Sequence, residues 1–338
     1  MAFGLIFIYR KVFVMLLKEK ILEELEKNSD CYVSGQKLAD MFGVSRNAVW
    51  KAVNQLKEDG CKIQSVNNKG YRILSVNDVL SPELIKSYMS DKAKCLDLIV
   101  LDKVDSTNNE AKRMLANSFS GHALIVSNEQ TNGRGRLGRD FYSPKNTGVY
   151  MSFLFSHSVK TSRAILSTTA AAVAVVRAVE SLTNLKPMIK WVNDVYIENK
   201  KVCGILTEAV TDFETGLVQN VVVGIGINTS TEDFPDELKN SAVSLNWNGL
   251  SRNRLTAEVV NRFIEICSDL DNKSYLKTYR ERSLIIGQSI DFYKNNVKYN
   301  AVAVDIDDNG GLIVKLPNGL TEVLNSGEIT VRLSKNKK

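Results

Sequence analysis

Seven consecutive residues of this 338-residue chain, Gly133-Arg134-Gly135-Arg136-Leu137-Gly138-Arg139, hold three glycines and three arginines. Such a run suits neither a helix nor a central strand. It offers bare backbone N–H groups and guanidinium forks, which together match a phosphate or a carboxylate. Arg134, Arg136 and Arg139 can clamp anionic oxygens, while Gly133, Gly135 and Gly138 let the backbone close over them. A solvated basic loop has the same composition, so the setting must separate the two readings. The apolar run Ala123-Leu124-Ile125-Val126 precedes the loop and the strand-like stretch Gly148 to Phe155 follows it. Glycine-rich connections between strands are where sites collect. The glycine content also predicts a loop that is mobile when empty and ordered by its ligand.

Other residues could serve the same chemistry, each with a plain structural alternative. Ser106-Thr107-Asn108 presents short polar groups, yet Ser106 or Thr107 also suits the cap of a helix running from Asn109 to Leu115. Lys190 and Lys201 are candidate cations or ordinary surface lysines, and Trp191 reads as core. Gly224-Ile225-Gly226 lies in an apolar run with no third glycine and no following helix, so it fails as a dinucleotide fingerprint. Only His122 and His157 are histidines, which argues against a histidine triad or a histidine metal cluster. The five cysteines are scattered, with no Cys-x-x-Cys pair. That pattern implies free thiols in a reducing, cytoplasmic setting and no zinc site.

The elements that must position these groups fall into three segments, as the length allows. An apolar content of 44% and a net charge of +6 fit globular domains with full cores. Residues 1–14 form an apolar extension, interrupted by Arg10-Lys11 and lacking a secretory cleavage site. A membrane anchor is the lesser reading of it, and no membrane partner is expected. Residues 15–75 read as helices and a hairpin. Ser34 caps a helix from Lys37 to Phe42, Gly43 turns the chain, and Ser45 caps a helix from Arg46 to Glu58 with the stripe Val49, Val53, Leu56. The hairpin 62–74, turning at 67–70, makes the pattern a winged helix-turn-helix. Residues 1–75 carry 12 Lys and Arg against 8 Asp and Glu, an electrostatic footprint for DNA. Winged helices also bind proteins. On the DNA reading Ser45, Arg46, Asn47 and Lys51 face the groove, and Arg46 and Asn47 can make bidentate base contacts.

Residues 77–283 mix strands and helices. A strand at Leu98 to Leu101 and a long alanine-rich helix at Ser162 to Leu182 precede strands at 188–191, 195–197, 204–208 and 221–227. Turns at 198–200 and 213–216 predict antiparallel pairing. Residues 284–333 carry turn residues at 294–296, 308–311, 317–319 and 325–327, the spacing of an SH3-like small barrel. A basic tail, 334–338, ends the chain. The expected class is α+β, multidomain.

From about Met15 onward the chain resembles the bifunctional biotin-protein ligases that double as repressors of biotin synthesis. The resemblance rests on Ser106-Thr107-Asn108, Gln130 with the Gly/Arg loop, Lys190-Trp191-Val192-Asn193-Asp194, Lys201 to Glu208, and Gly224 to Asn228, in that order behind Ser45 to Lys51. Two departures stand out. Val192 replaces a usual proline, which predicts a looser turn, and Asn132 stands where a small residue is common.

The resemblance implies a class II synthetase-like catalytic domain that uses ATP and Mg²⁺ to convert biotin to biotinyl-5′-adenylate. Biotin then passes to a lysine of a biotin carboxyl carrier protein. It further implies operator DNA as a partner, the adenylate as corepressor, and a homodimer when adenylate is bound. By the same resemblance Ser106, Thr107, Asn108, Gln130, Arg134, Gly135, Arg136, Lys201 and Gly204 bind biotin. Gly133, Arg134, Arg136, Arg139, Lys190, Asn193 and Asn228 bind ATP and its phosphates, and Asp194 holds the metal. Arg136, Lys190 and Lys201 are the catalytic set. A pure biotin-sensing repressor and a lipoate-type ligase are the alternatives.

Overall fold

A computed structural model gives the fold and describes residues 17–18, 20–22, 24–25, 28, 31–58, 61–75, 78–156, 162–211, 218–247, 249–294, 297–325 and 329–331. The extension at 1–14, the tail at 334–338, the turn at 213–216 and the turn centres at 295–296 and 326–327 lie outside them. Two compact units emerge: Met1–Tyr88 with Asn248–Arg254, and Met89–Trp247 with Leu255–Lys338.

In the first unit α1 (Gly35–Phe42) begins where Ser34 Oγ accepts the Lys37 N–H at 3.0 Å. It ends at Gly43, whose φ of 64° is left-handed. The next helix, α2 (Arg46–Glu58), starts where Ser45 Oγ accepts the Ala48 N–H at 3.2 Å. Val49, Ala52, Val53 and Leu56 are fully buried, and the two valines and the leucine each contribute roughly 1.5–3 kcal/mol of burial. The wing pairs β1 (Lys62–Val66) with β2 (Gly70–Ser75) antiparallel. Val33 exchanges both backbone hydrogen bonds with Tyr71, so the wing is pinned to the start of α1. The unit runs past residue 75 because Leu84 of α3 (Pro82–Tyr88) joins the same core. The buried Arg252 Nε also pairs with Asp78 Oδ2 at 3.0 Å, and Asn253 Oδ1 accepts the Ser81 N–H at 2.8 Å.

The second unit holds two sheets. The larger is built from β3 (Asp97–Leu101), β4 (His122–Ser127), β5 (Gly148–Ser156), β6 (Met188–Lys190), β7 (Asp194–Ile197), β8 (Lys200–Thr211) and β9 (Val218–Asn228). Their order is β3-β4-β5-β9-β8-β7-β6, with β3 and β4 parallel and every other pair antiparallel. Helix α4 (Thr107–Ala116) packs on β4, β5 and β9, burying Ala111 against Ala123, Ile125, Leu154 and Val222. The alanine-rich α5 (Ser162–Leu182) packs on β8 and β9. It is apolar enough to span a membrane, but most of its Ile165–Leu182 stretch is buried inside the fold. Two further helices, α6 (Arg252–Ser268) and α7 (Tyr275–Glu281), were not foreseen as separate elements. Their Leu255, Val259, Val260, Phe263 and Leu276, Tyr279 are all fully buried. The smaller sheet is wholly antiparallel. Its strands β10 (Ser289–Lys294), β11 (Val297–Ile306), β12 (Leu312–Lys315), β13 (Thr321–Leu324) and β14 (Ile329–Val331) follow the order β13-β12-β11-β10-β14.

Candidate ligand pocket and recognition face

A cavity in the second unit opens between the start of α4, the Gly/Arg loop and the centres of β8 and β9. One wall is polar and tightly bonded. Gln130 Oε1 accepts the Thr107 N–H at 2.9 Å, and Gln130 Nε2 donates to Ser143 Oγ at 2.9 Å. This overturns the expected cap. Ser106 occupies the N-cap position but makes no side-chain capping bond, because the Gln130 amide serves the helix end instead. The fully buried Ser152 hydroxyl lies 2.6 Å from Asn108 Oδ1 and 2.7 Å from Thr107 Oγ1. Asn108 Nδ2 donates to Glu208 Oε2 at 2.8 Å, and Glu208 is held by Lys112 Nζ at 2.8 Å. Short neutral groups are thus fixed in place, and Ser106, whose hydroxyl is not spent on the helix, lines the cavity.

The floor is bare backbone. Gly204 and Gly226 are register partners on β8 and β9, and Gly224 sits opposite Leu206. A Cβ on Gly226 would lie 2.4 Å from the Phe141 ring, and one on Gly224 would lie 2.3 Å from Asn108 Oδ1. The glycines rejected as a nucleotide fingerprint are therefore present for close approach. The cavity measures about 50 Å³, space for a few waters only.

Three cationic residues line this space, Arg134, Arg136 and Lys201, and the last two have partners there. Arg136 donates to Asn193 Oδ1 at 3.2 Å, while Asn193 Nδ2 donates to the Ile205 carbonyl at 2.8 Å, so the loop is latched to the sheet. Lys201 Nζ lies 2.7 Å from Asp194 Oδ1 and 5.9 Å from the Phe141 ring centroid. The Gly/Arg loop itself is a narrow irregular hairpin. Gln130 N–H bonds the Ser143 carbonyl, Phe141 N–H the Gly133 carbonyl, and Gly135 N–H the Arg139 carbonyl. These bonds join the two arms of the loop, and at its tip Leu137 adopts a φ of 57° with its side chain exposed.

Ten of the residues expected to bind ligand line the cavity: Ser106, Thr107, Asn108, Gln130, Arg134, Gly135, Arg136, Asn193, Lys201 and Gly204. Five do not. Gly133 is buried where a Cβ would meet the Phe141 carbonyl at 2.4 Å, so its smallness serves the hairpin. Arg139 is exposed beyond the tip. Lys190 lies over the Tyr196 ring at 5.6 Å. Asn228 is buried and donates to the Val243 carbonyl at 3.2 Å. Asp194 stands behind Lys201 as its ion-pair partner. Phe141, Met151 and Ser152 were missed, as was the bracing role of Glu208. The turn departing from proline is held at both sides: Tyr279 Oη donates to the Val192 carbonyl at 3.0 Å, and the Trp191 indole donates to the Gly310 carbonyl at 2.9 Å. The expected loosening is therefore opposed by two bonds to the peptide neighbourhood.

No cluster of three or more His, Cys, Asp or Glu able to hold a metal occurs among the described residues. A single carboxylate, Asp194, is near the cations, which suits a Mg²⁺ that arrives with phosphate oxygens. Burial raises the Cys203 thiol well above its usual range despite Lys201 nearby.

On the first unit Arg46, Asn47 and Lys51 are exposed on α2, while the Ser45 hydroxyl is committed to the cap. Arg46 and Asn47 line an open cleft of about 710 Å³ between α2 and the wing; Ser45 and Lys51 do not.

Comparison with known proteins gives a consistent picture. A biotin/lipoate A/B protein ligase family profile matches residues 100–228, an HTH domain profile residues 18–72, and a biotin protein ligase C terminal domain profile residues 285–332. The bifunctional ligase/repressor BirA of Bacillus subtilis (strain 168) is 31% identical over 317 residues, covering 91% of this chain and 96% of the relative. Its namesake in Escherichia coli (strain K12) is 26% identical over 305 residues, covering 88% and 92%. Among solved structures, the biotin protein ligase from Aquifex aeolicus in complex with biotin and ATP superposes with a TM-score of 0.59 at 29% identity. It covers 70% of this chain and 99% of that one.

Proposed function

The chain belongs to the family of bifunctional biotin ligase/repressors, and from that premise we propose how its residues divide the work. It is an ATP-dependent biotin-protein ligase and a transcriptional repressor with a helix-turn-helix domain. The observation that carries the site assignment is the meeting, in one cavity, of a fixed neutral polar wall with Arg136 and Lys201.

In the first half-reaction a biotin carboxylate oxygen bonds to the α-phosphorus of ATP, and pyrophosphate leaves. In the second, the amine of an acceptor lysine on a biotin carboxyl carrier domain bonds to the acyl carbon, and AMP leaves. Bringing two anions together requires fixed positive charge more than a strong base. Lys201 and Arg136 supply it. Their partners Asp194 and Asn193 hold each one in place, so less reorganisation accompanies reaction. The ureido ring of biotin is neutral, with N–H donors and a carbonyl acceptor. The wall of Ser106, Thr107, Asn108 and Gln130 complements it, and Glu208, Lys112 and Ser152 keep Asn108 oriented. Phe141, lying on the glycine floor, offers a flat face to a planar group but also narrows the cavity. Ligand entry therefore moves the Phe141 ring or the loop tip. Arg134 at the loop then closes over phosphate, excluding water from a reactive anhydride. Lys190, Arg139 and Asn228 are reassigned to outer or structural roles.

The residues suit a Mg²⁺ carried in by the nucleotide, with Asp194 as its protein carboxylate. When bound, it would offset phosphate charge. The five free thiols fit the cytoplasm as the place of action. Because one helix-turn-helix reads a half-site, operator binding is proposed to use a homodimer, with the adenylate as corepressor.

Biotin-dependent exchange of labelled pyrophosphate into ATP tests the first half-reaction. Exchange with biotin, undiminished by excess lipoate, is expected. Exchange supported equally by lipoate would overturn the substrate assignment, and none at all would leave a sensor-repressor.

A further inference from the structure

The outward face of α2 contains a residue that the expected DNA contacts leave out. Trp50 is 52% exposed, although its neighbours Val49, Ala52 and Val53 are fully buried. It lies four residues from both Arg46 and Asn54 and three from Asn47, so the four share one stripe of the helix. All four line the cleft whose far wall is the wing, with Asn67 and Asn68 at its turn. Apart from Val66, Tyr71 and two glycines, the rest of the lining is amide, hydroxyl and cationic in character. Its walls are fixed: Lys57 Nζ donates to Ser65 Oγ at 2.8 Å, tying α2 to β1. On the wing's other side Tyr32 orders two more cations, with Arg72 at 5.1 Å and Lys69 at 6.0 Å from its ring centroid.

A single exposed apolar residue needs no explanation in general. Here the residue is a tryptophan at the centre of a polar recognition face, flanked by the two side chains best suited to guanine and adenine. Basic groups on the helix and the wing match the two phosphate strands beside a groove. The floor of a DNA major groove is almost entirely polar, and its one apolar feature is the thymine C5-methyl group. We infer that Trp50 is a specificity-determining residue of operator binding, packing its ring on a thymine methyl in each half-site. This rests on the DNA-binding reading of the first unit and adds to it a base that Arg46 and Asn47 cannot select.

Geometry limits where that thymine lies. One turn of α2 advances about 5.4 Å, and stacked base pairs advance about 3.4 Å. Trp50 therefore meets a base within about two pairs of the purine contacted by Arg46 or Asn47.

The test uses the full chain with biotin, ATP and Mg²⁺. Duplexes are selected from a randomised library, and each thymine of the winning sequence is replaced in turn by deoxyuridine, which removes only the methyl. Affinity is read by fluorescence anisotropy at fixed salt. The expected result is a loss of about fourfold at one thymine per half-site, the worth of one buried methyl. Trp50→Ala should bind the thymine and uracil duplexes equally, and Trp50→Phe should keep part of the difference. Indifference of the wild type to every methyl overturns the inference, whether or not any variant folds. So does a Trp50→Ala protein that still discriminates. Failure to enrich any duplex would instead overturn the DNA-binding reading on which it rests.

Discussion

At the scale of single residues, the site is defined by what touches what, and the glycines make the sharpest claim. Gly224 and Gly226 both face the cavity, but their neighbours differ. A methyl at 226 meets the end of the Phe141 ring, which can rotate away. A methyl at 224 meets Asn108, which Glu208 and Ser152 hold. Gly224→Ala is therefore expected to raise the KM for biotin about tenfold, the scale of an overpacked contact, and Gly226→Ala by clearly less. Steady-state kinetics in biotin decide it; equal effects would show that Asn108 is not braced. The polar and cationic residues that line the cavity were legible in the sequence, because Gly and Arg at tight spacing have few structural uses. Phe141 was not. An isolated aromatic gives no periodic signal, and only the register of Gly204 on Gly226 reveals the slot into which it fits. Lys190 and Asn228 lie outside the cavity lining, beside the Tyr196 ring and the Val243 carbonyl respectively.

At the scale of elements, the start of α4 and the wing depend on local devices that can be tested apart from activity. Arg113 and Asn109 bond the Asp105 carboxylate just before α4, and the Arg113 guanidinium holds it far below the usual carboxylate range. A depressed folded-state pKa stabilises above the unfolded value, about 3.9, and that stabilisation disappears as pH falls through the folded value. Both groups are substantially exposed, so solvent screening keeps the effect small. Arg113→Gln should lower Tm slightly at pH 7, and the gap from wild type should shrink below about pH 4. A gap that widened in acid would contradict the assignment. In the wing, Gly70 has a φ of 109° and a Cβ there would lie 2.1 Å from the Val33 carbonyl oxygen. Gly70→Ala combines strain with a backbone clash and should cost about 2 kcal/mol or more in the first unit, read by denaturant melting of the full chain. The winged helix was legible because caps, stripe and turn agree with one another. α6 and α7 were not among the expected elements, although Leu255, Val259, Val260 and Phe263 carry a helical period and Ser251 Oγ accepts the Arg254 N–H at 3.4 Å at the start of α6.

At the scale of the whole molecule, one chain carries both a biotin-ligase domain and a helix-turn-helix domain. If adenylate favours the operator-binding form, linkage requires operator DNA to favour adenylate in return. The distribution of thiols offers an independent check on the fold. Cys31 and Cys95 are exposed, whereas Cys61 and Cys203 are buried and Cys267 is pushed up to about 12 by burial. A thiol reagent at neutral pH should label Cys31 and Cys95 quickly in the native protein and reach the others only on unfolding, as peptide mass mapping would show. Lys201 and Arg136, gathered beside the polar wall, are proposed to carry out biotin activation. The most direct test is biotin incorporation into a carboxyl carrier domain with ATP and Mg²⁺, comparing wild type with Lys201→Ala and Arg136→Ala. Robust incorporation by the wild type, with a fall of about 10²–10³-fold in each folded variant, is the predicted result. Variants that incorporate biotin at the wild-type rate would contradict the account and place the chemistry elsewhere in the chain.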